Sequence, residues 1–139
     1  GIGRGQLRVL DERVQARREV FQRYEEGLGD LAGVEFMPEA SFGRANRWLT
    51  VMTLDPAVCS AAPMDIIQAL EAENIESRPV WKPMHLQPLF AGCRYFTHGE
   101  EESVSDRLFQ QGVCLPSGSS LTEEEQERVI RCVRGLLRR

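Results

Sequence analysis

The chain has one lysine, Lys82, no long apolar run, and no two cysteines in C-x-x-C spacing. Each absence removes a class of function. Nothing approaches the roughly 20 apolar residues that span a bilayer, so no membrane-spanning helix is expected. With 17 Lys+Arg against 21 Asp+Glu, the net charge is −4 and the pI about 5.3, so no basic surface is offered to nucleic acid or anionic lipid. Cys59, Cys93, Cys114 and Cys132 are scattered, and only His85 and His98 could join a metal shell. Tetrahedral zinc needs closely spaced ligand pairs, so no metal site is expected. A chain of 139 residues, 42% of them hydrophobic, can build a core without a disulfide framework. The four cysteines therefore read as reduced, mostly buried thiols of a cytoplasmic protein. Two histidines and dispersed serines give no nucleophile–base–orienter set. There is neither an initiating methionine nor a signal-peptide apolar region, so the opening Gly1-Ile2-Gly3-Arg4-Gly5-Gln6 reads as the middle of a longer protein.

What is present fits one compact domain, residues 1–139. A long helix is predicted from Gln6 to Leu28, because Leu7, Leu10, Val14, Phe21, Tyr24 and Leu28 recur on one helical face. Glycines from Gly27 to Gly33 stop it. After a short extended piece at Val34–Phe36, Arg47–Leu54 reads as a central strand buried on both faces. Pro63 suits the first turn of a helix carrying Ile66, Ile67 and Leu70, and Asn74 the left-handed position after it. Ile75–Trp81 reads as a second strand, which Pro79 and Pro83 confine to an edge or bulge. A short helix over Ser103–Gln111 and a brief strand, Val113–Leu115, follow. Thr122 and Glu125 form a capping box for a last helix with Val129, Ile130, Val133, Leu136 and Leu137 as its stripe. Three acidic residues open that helix, and Arg134, Arg138 and Arg139 close it, as the helix dipole favours. Helices and strands alternate, so the expected fold is α/β (α+β): a small sheet of about three to four strands covered by helices.

The chemistry is densest between Glu76 and Pro88. Arg78, Trp81, Lys82, His85 and Gln87 stand there among three prolines, which stiffen the backbone and lower the entropy lost in presenting side chains. Guanidinium and ammonium groups suit phosphate, and an indole face suits a sugar or base. A rigid edge loop with solvated cations would look the same. Lys82 is poorly placed for a Schiff base, sitting before Pro83 in an extended loop. The Leu115–Ser120 segment reads as a strand-to-helix turn more readily than as a phosphate cradle. Glu100, Glu101 and Glu102 read as a solvated charge run.

Three stretches, in order along the chain, resemble the sugar aminotransferases of the DegT/DnrJ/StrS type. They are the opening Gly1–Arg18 run, the Asn74–Phe90 segment with Arg78-Pro79 and Pro83-Met84-His85-Leu86-Gln87, and Gly112–Gly118 followed by Leu121-Thr122. The Arg78-Pro79-Val80-Trp81-Lys82-Pro83-Met84-His85 version is similar to members that aminate UDP-4-keto-6-deoxy-N-acetylglucosamine. The resemblance implies the C-terminal small domain of the aspartate-aminotransferase (pyridoxal phosphate fold-type I) fold. It also implies a homodimer that transfers an amino group from glutamate to a keto sugar nucleotide for glycan biosynthesis. Pyridoxal 5'-phosphate and its lysine would belong to a large domain upstream of Gly1, so this chain is expected to be inactive alone and to carry no catalytic or cofactor-binding residue. By the same resemblance, His85, Trp81, Arg78 and Lys82 are the expected substrate-binding residues. The competing readings are a stand-alone α/β binding or regulatory module without catalysis and a self-sufficient small enzyme, which the thin catalytic inventory disfavours.

Overall fold

A computed structural model of the chain describes residues 1–97, 99 and 103–138. His98, the Glu100–Glu102 charge run and Arg139 lie outside the described residues. The elements are α1 (Ile2–Leu7), α2 (Leu10–Leu28), β1 (Val34–Phe36), β2 (Thr50–Leu54), α3 (Pro63–Ala72), β3 (Arg78–Pro79), α4 (Val104–Gln111), β4 (Gly112–Leu115) and α5 (Glu123–Leu137). Two single 3₁₀ turns, Met84–Leu86 and Pro88–Phe90, lie between β3 and α4. The strands form one antiparallel sheet in the order β1-β2-β4-β3. Val34 faces Leu54, Thr50 faces Leu115, and Arg78 faces Cys114. This is the small helix-covered sheet the alternating pattern predicts.

Apolar side chains from α2, α3 and α5 pack on one side of the sheet. Tyr24, Leu28, Ile66, Leu70, Val129 and Val133 join Met52, Leu54, Val113 and Leu115 in a single buried cluster. Burying such side chains supplies the main driving force for the fold. Polar side chains then fix the helices in place. Gln126 is buried on α5, where its amide donates to the Val20 carbonyl at 2.7 Å and accepts from Arg23 Nε at 2.6 Å. The Tyr24 hydroxyl donates to the Pro116 carbonyl at 2.9 Å, and burial raises its pKa far above the ordinary phenol value, keeping it a neutral donor. Arg134 grips Asp30 with both guanidinium nitrogens, at 2.7 and 2.6 Å, and also donates to the Gly27 carbonyl.

The local signals hold where they rest on backbone chemistry. Pro63 occupies the first turn of α3, Asn74 takes φ +57°, and Thr122 and Glu125 cap α5 reciprocally. Gly33 also needs its φ of +79°, and a Cβ there would lie 2.7 Å from Cys59 Sγ.

Four expectations need correction. The first helix breaks at Arg8-Val9 into α1 and α2, and its stripe is buried only from Val20 onward. Leu7 and Leu10 are 68% and 50% exposed. Alternate glycines weaken the first turns, and α1 has no buried residue to hold it straight. β2 is central but not buried on both faces: Thr50, Met52 and Leu54 are buried, while Val51 and Thr53 are half-exposed, because the helices cover one face there. The ladder at the second predicted strand shrinks to Arg78–Pro79 at the sheet edge, where the missing proline N–H costs nothing. Among the cysteines only Cys114, in β4, is buried; Cys59 and Cys132 are half-buried and Cys93, after the second 3₁₀ turn, is exposed.

Candidate functional site

The structure has a cavity of 780 Å³ bounded by the 74–82 segment, β4 with the turn after it, and the first turns of α5. That volume is in the range of small-molecule sites. Its floor is apolar, with Ile75, Val80, Cys114, Leu115 and Val129, and its rim carries Arg78, Lys82 and Arg128. Burial raises the Cys114 thiol pKa, so it contributes a neutral surface. Arg78 lies on the edge strand and pairs with Glu76 at 2.5 Å, both side chains being largely exposed. Arg128 donates to the Glu73 carbonyl at 3.2 Å and lies 3.8 Å from its carboxylate. Exposed pairs of this kind are worth little, so either guanidinium is available to a stronger anion.

The loop before β2 is pinned by arginines. Arg18 donates to Glu39 at 2.6 Å and to the Ala45 carbonyl at 2.7 Å. Arg47 donates to the Met37 carbonyl at 2.6 Å and stacks over the Phe21 ring. Arg17 donates to the carbonyls of Trp48 and Ser117. Held at its backbone, Trp48 lays its indole on Trp81, with ring centroids 5.7 Å apart and planes 24° from parallel. The two residues remain 58% and 63% exposed.

His85 sits elsewhere. Its Nε2 lies 2.7 Å from Asp106 Oδ1 on α4, in a close but poorly aligned contact that leaves both buried atoms without an in-line hydrogen bond. Its ring stacks on Tyr95 at 3.6 Å between centroids, and the Tyr95 hydroxyl meets Ser103 Oγ at 2.6 Å and Ser105 Oγ at 3.1 Å. The Gln87 amide donates to the Lys82 carbonyl at 3.2 Å, bracing the proline-rich segment between the two places.

Of the four residues predicted as substrate-binding, Arg78, Trp81 and Lys82 line the cavity, and His85 does not. Sequence reasoning passed over Arg128 and Ser77 in the cavity lining, Trp48 stacked on Trp81, and Tyr95 and Asp106 around His85. The only signal for Trp48 was that it is one of two tryptophans in the chain; nothing local pairs positions 48 and 81. The turn after β4 is structural, since Ser117 Oγ accepts from the Thr50 amide and donates to the Leu115 carbonyl, both at 2.7 Å.

The helix start beside the cavity does not invite phosphate. Hydrogen bonds from the Thr122 amide and hydroxyl hold the Glu125 carboxyl below the ordinary carboxylate range, so it stays anionic beside Glu123 and Glu124. Lys82 is exposed between Trp81 and Pro83. An unseated lysine and a capped, acidic helix start do not fit pyridoxal phosphate, which needs a held amine and a phosphate cradle. Among the described residues, no three His, Cys, Asp or Glu side chains are grouped to hold a metal ion, and no helix is long and apolar enough to cross a membrane.

Comparison with known proteins gives the chain a family. The model of the DegT/DnrJ/EryC1/StrS aminotransferase family matches residues 1–134. EpsN of Bacillus subtilis (strain 168), whose name assigns it provisionally to the pyridoxal phosphate-dependent aminotransferases, is 55% identical over 130 residues, covering 94% of this chain and 33% of EpsN. The GDP-perosamine synthase of Caulobacter vibrioides is 32% identical over 130 residues, covering 93% of this chain and 34% of the synthase. Among solved structures, the aminotransferase TlmJ from Streptoalloteichus hindustanus superposes with a TM-score of 0.79 at 26% identity, covering 99% of this chain and 35% of that one. The chain thus spans about a third of the length of the relatives it matches.

Proposed function

We propose, from the premise that this chain belongs to the DegT/DnrJ/EryC1/StrS aminotransferase family, that it is the C-terminal small domain of a sugar-nucleotide aminotransferase. The observation that carries this reading is the family match over residues 1–134, joined to 55% identity with EpsN. In the proposed reaction glutamate gives up its amino group and leaves as 2-oxoglutarate, while a ketone carbon of the sugar becomes a primary amine. Pyridoxal phosphate supplies the carrier for that amino group, and its lysine lies in the remainder of the enzyme, because Lys82 has no seat for it. The enzyme is a cytoplasmic homodimer, and its product serves glycan or polysaccharide assembly.

This chain's part is to bind and orient the sugar nucleotide. Arg78 and Lys82 place positive charge on the rim of an apolar cavity, and Trp81 adds a flat face. His85 acts from beside the cavity, held by Tyr95 and Asp106. The relative at 32% identity is named for a GDP-sugar. A UDP-4-keto-6-deoxy sugar is the substrate proposed for this chain, on the strength of its Arg78–His85 stretch.

The test is made in the longer enzyme. His85→Ala and Arg78→Ala should each raise the KM for the sugar nucleotide several-fold while leaving the affinity for pyridoxal phosphate within twofold; equal loss of both, or no effect, overturns the reading. The present chain mixed with pyridoxal phosphate should show no imine absorbance, and formation of such a species on Lys82 would be equally fatal.

A further inference from the structure

The geometry points to the Trp48–Trp81 pair as a stacking platform for the base of a nucleoside diphosphate, with the diphosphate at Arg78 and Lys82. This rests on the sugar-nucleotide reading above and assigns one part of the ligand to one part of the surface. Stacking uses one face of each indole, and each tryptophan is still more than half exposed, so the pair keeps surface that a further ring can cover. An indole is the best aromatic platform for a flat ring, and base stacking is sequence-tolerant. Trp81, Arg78 and Lys82 line the same cavity, so ring and cations are available to one ligand.

Electrostatics fixes the direction of the ligand. Glu125, held anionic by the α5 cap, offsets the charge of Arg128 at the helix end of the cavity. Among the described residues Arg78 pairs with Glu76 alone, an exposed partner that a doubly charged diphosphate displaces. The phosphates therefore lie toward Arg78 and Lys82.

The composition of the chain makes the test direct, because Trp48 and Trp81 are its only tryptophans and all indole emission comes from the proposed platform. The chain is titrated with UDP, uridine and inorganic pyrophosphate while emission is followed. UDP should quench at the lowest concentration, uridine should quench more weakly, and pyrophosphate should compete with UDP without matching its quenching. Trp48→Ala should weaken UDP binding about tenfold or more with pyrophosphate affinity unchanged, whereas Trp48→Phe should stay within about threefold. Arg17 holds the Trp48 carbonyl and not its ring, so the side chain can be removed without freeing the loop; circular dichroism checks the fold of each variant.

Pyrophosphate binding as tightly as UDP, UDP binding unaffected by Trp48→Ala, or no UDP binding by the folded chain would each overturn the platform. So would emission that follows protein concentration in place of nucleotide, since a second copy would then cover the indoles. The sugar-nucleotide reading fails separately, if the longer enzyme aminates free keto sugars as readily as nucleotide-linked ones.

Discussion

The helical side of the sheet and the segment from Arg78 to Phe96 are built on different principles. Around α2, α3 and α5, side chains meet other side chains: Tyr24, Leu28, Ile66 and Leu70 have no exposed surface. From Arg78 to Phe96 the chain is stiffened by three prolines and two 3₁₀ turns and held by a few polar and ring contacts, Gln87–Lys82 and His85 with Tyr95 and Asp106, while most of its large apolar groups face outward. Trp81, Leu89 and Phe96 are 63%, 84% and 79% exposed. Stability is concentrated in the first region and recognition chemistry in the second, so substitutions should separate into two kinds.

The largest effect is expected at the core. Leu70→Ala should cost about 2–5 kcal/mol of unfolding free energy by urea titration, from lost burial and the cavity left behind; a loss under about 1 kcal/mol would erase the contrast. Gln126→Ala should cost about 1–3 kcal/mol in the same assay, because it strands the Val20 carbonyl and removes the oxygen that Arg23 meets. Thr122→Ala should cost about 1 kcal/mol through loss of the α5 cap, read as a lower thermal midpoint. In the loop region, Asp106→Asn should change global stability by less than about 1 kcal/mol. It should nonetheless speed amide hydrogen exchange over residues 83–97, since the side chain packed 2.7 Å from His85 Nε2 is altered.

A pH titration sharpens the same boundary. The hydrogen bond from Arg134 lowers the Asp30 carboxyl below its ordinary 3.8. A depressed carboxylate adds stability that is present above the unfolded value and is lost as pH falls through the folded one. The stability that this pair contributes should therefore fade below about pH 4, and Asp30→Asn should flatten the profile there. An unchanged acid limb would show that the Asp30–Arg134 clasp does not help hold α5 to α2.

The two regions also differed in how legible they were. Signals written in adjacent residues were readable: Pro63 at a helix start, Asn74 in the left-handed conformation, the Thr122–Glu125 box, and Pro79 at a sheet edge. The small helix-covered sheet followed from their alternation. The extent of burial was not, because it depends on what the fold lays across each face. Leu7 and Leu10 continue the α2 stripe in sequence but find no cover, and Val51 alternates correctly yet stays half-exposed. At the site, the segment carrying Arg78, Trp81 and Lys82 was legible as a cluster of cations and an indole in a stiffened loop. Trp48 and the Tyr95–Asp106 clasp were not, since each joins its partner only through tertiary structure.

One consequence of the strand order concerns time. β4 is the last strand in sequence yet lies between β2 and β3. As the chain leaves the ribosome, β1 and β2 can pair early, but the inner edge of β2 stays bare and β3 has no neighbour until Gly112–Leu115 arrives. Closing so long a loop costs entropy before any contact rewards it, so the centre of the sheet forms late. A chain cut short of Gly112 would lose two ladders together and expose an unpaired strand edge to other nascent chains.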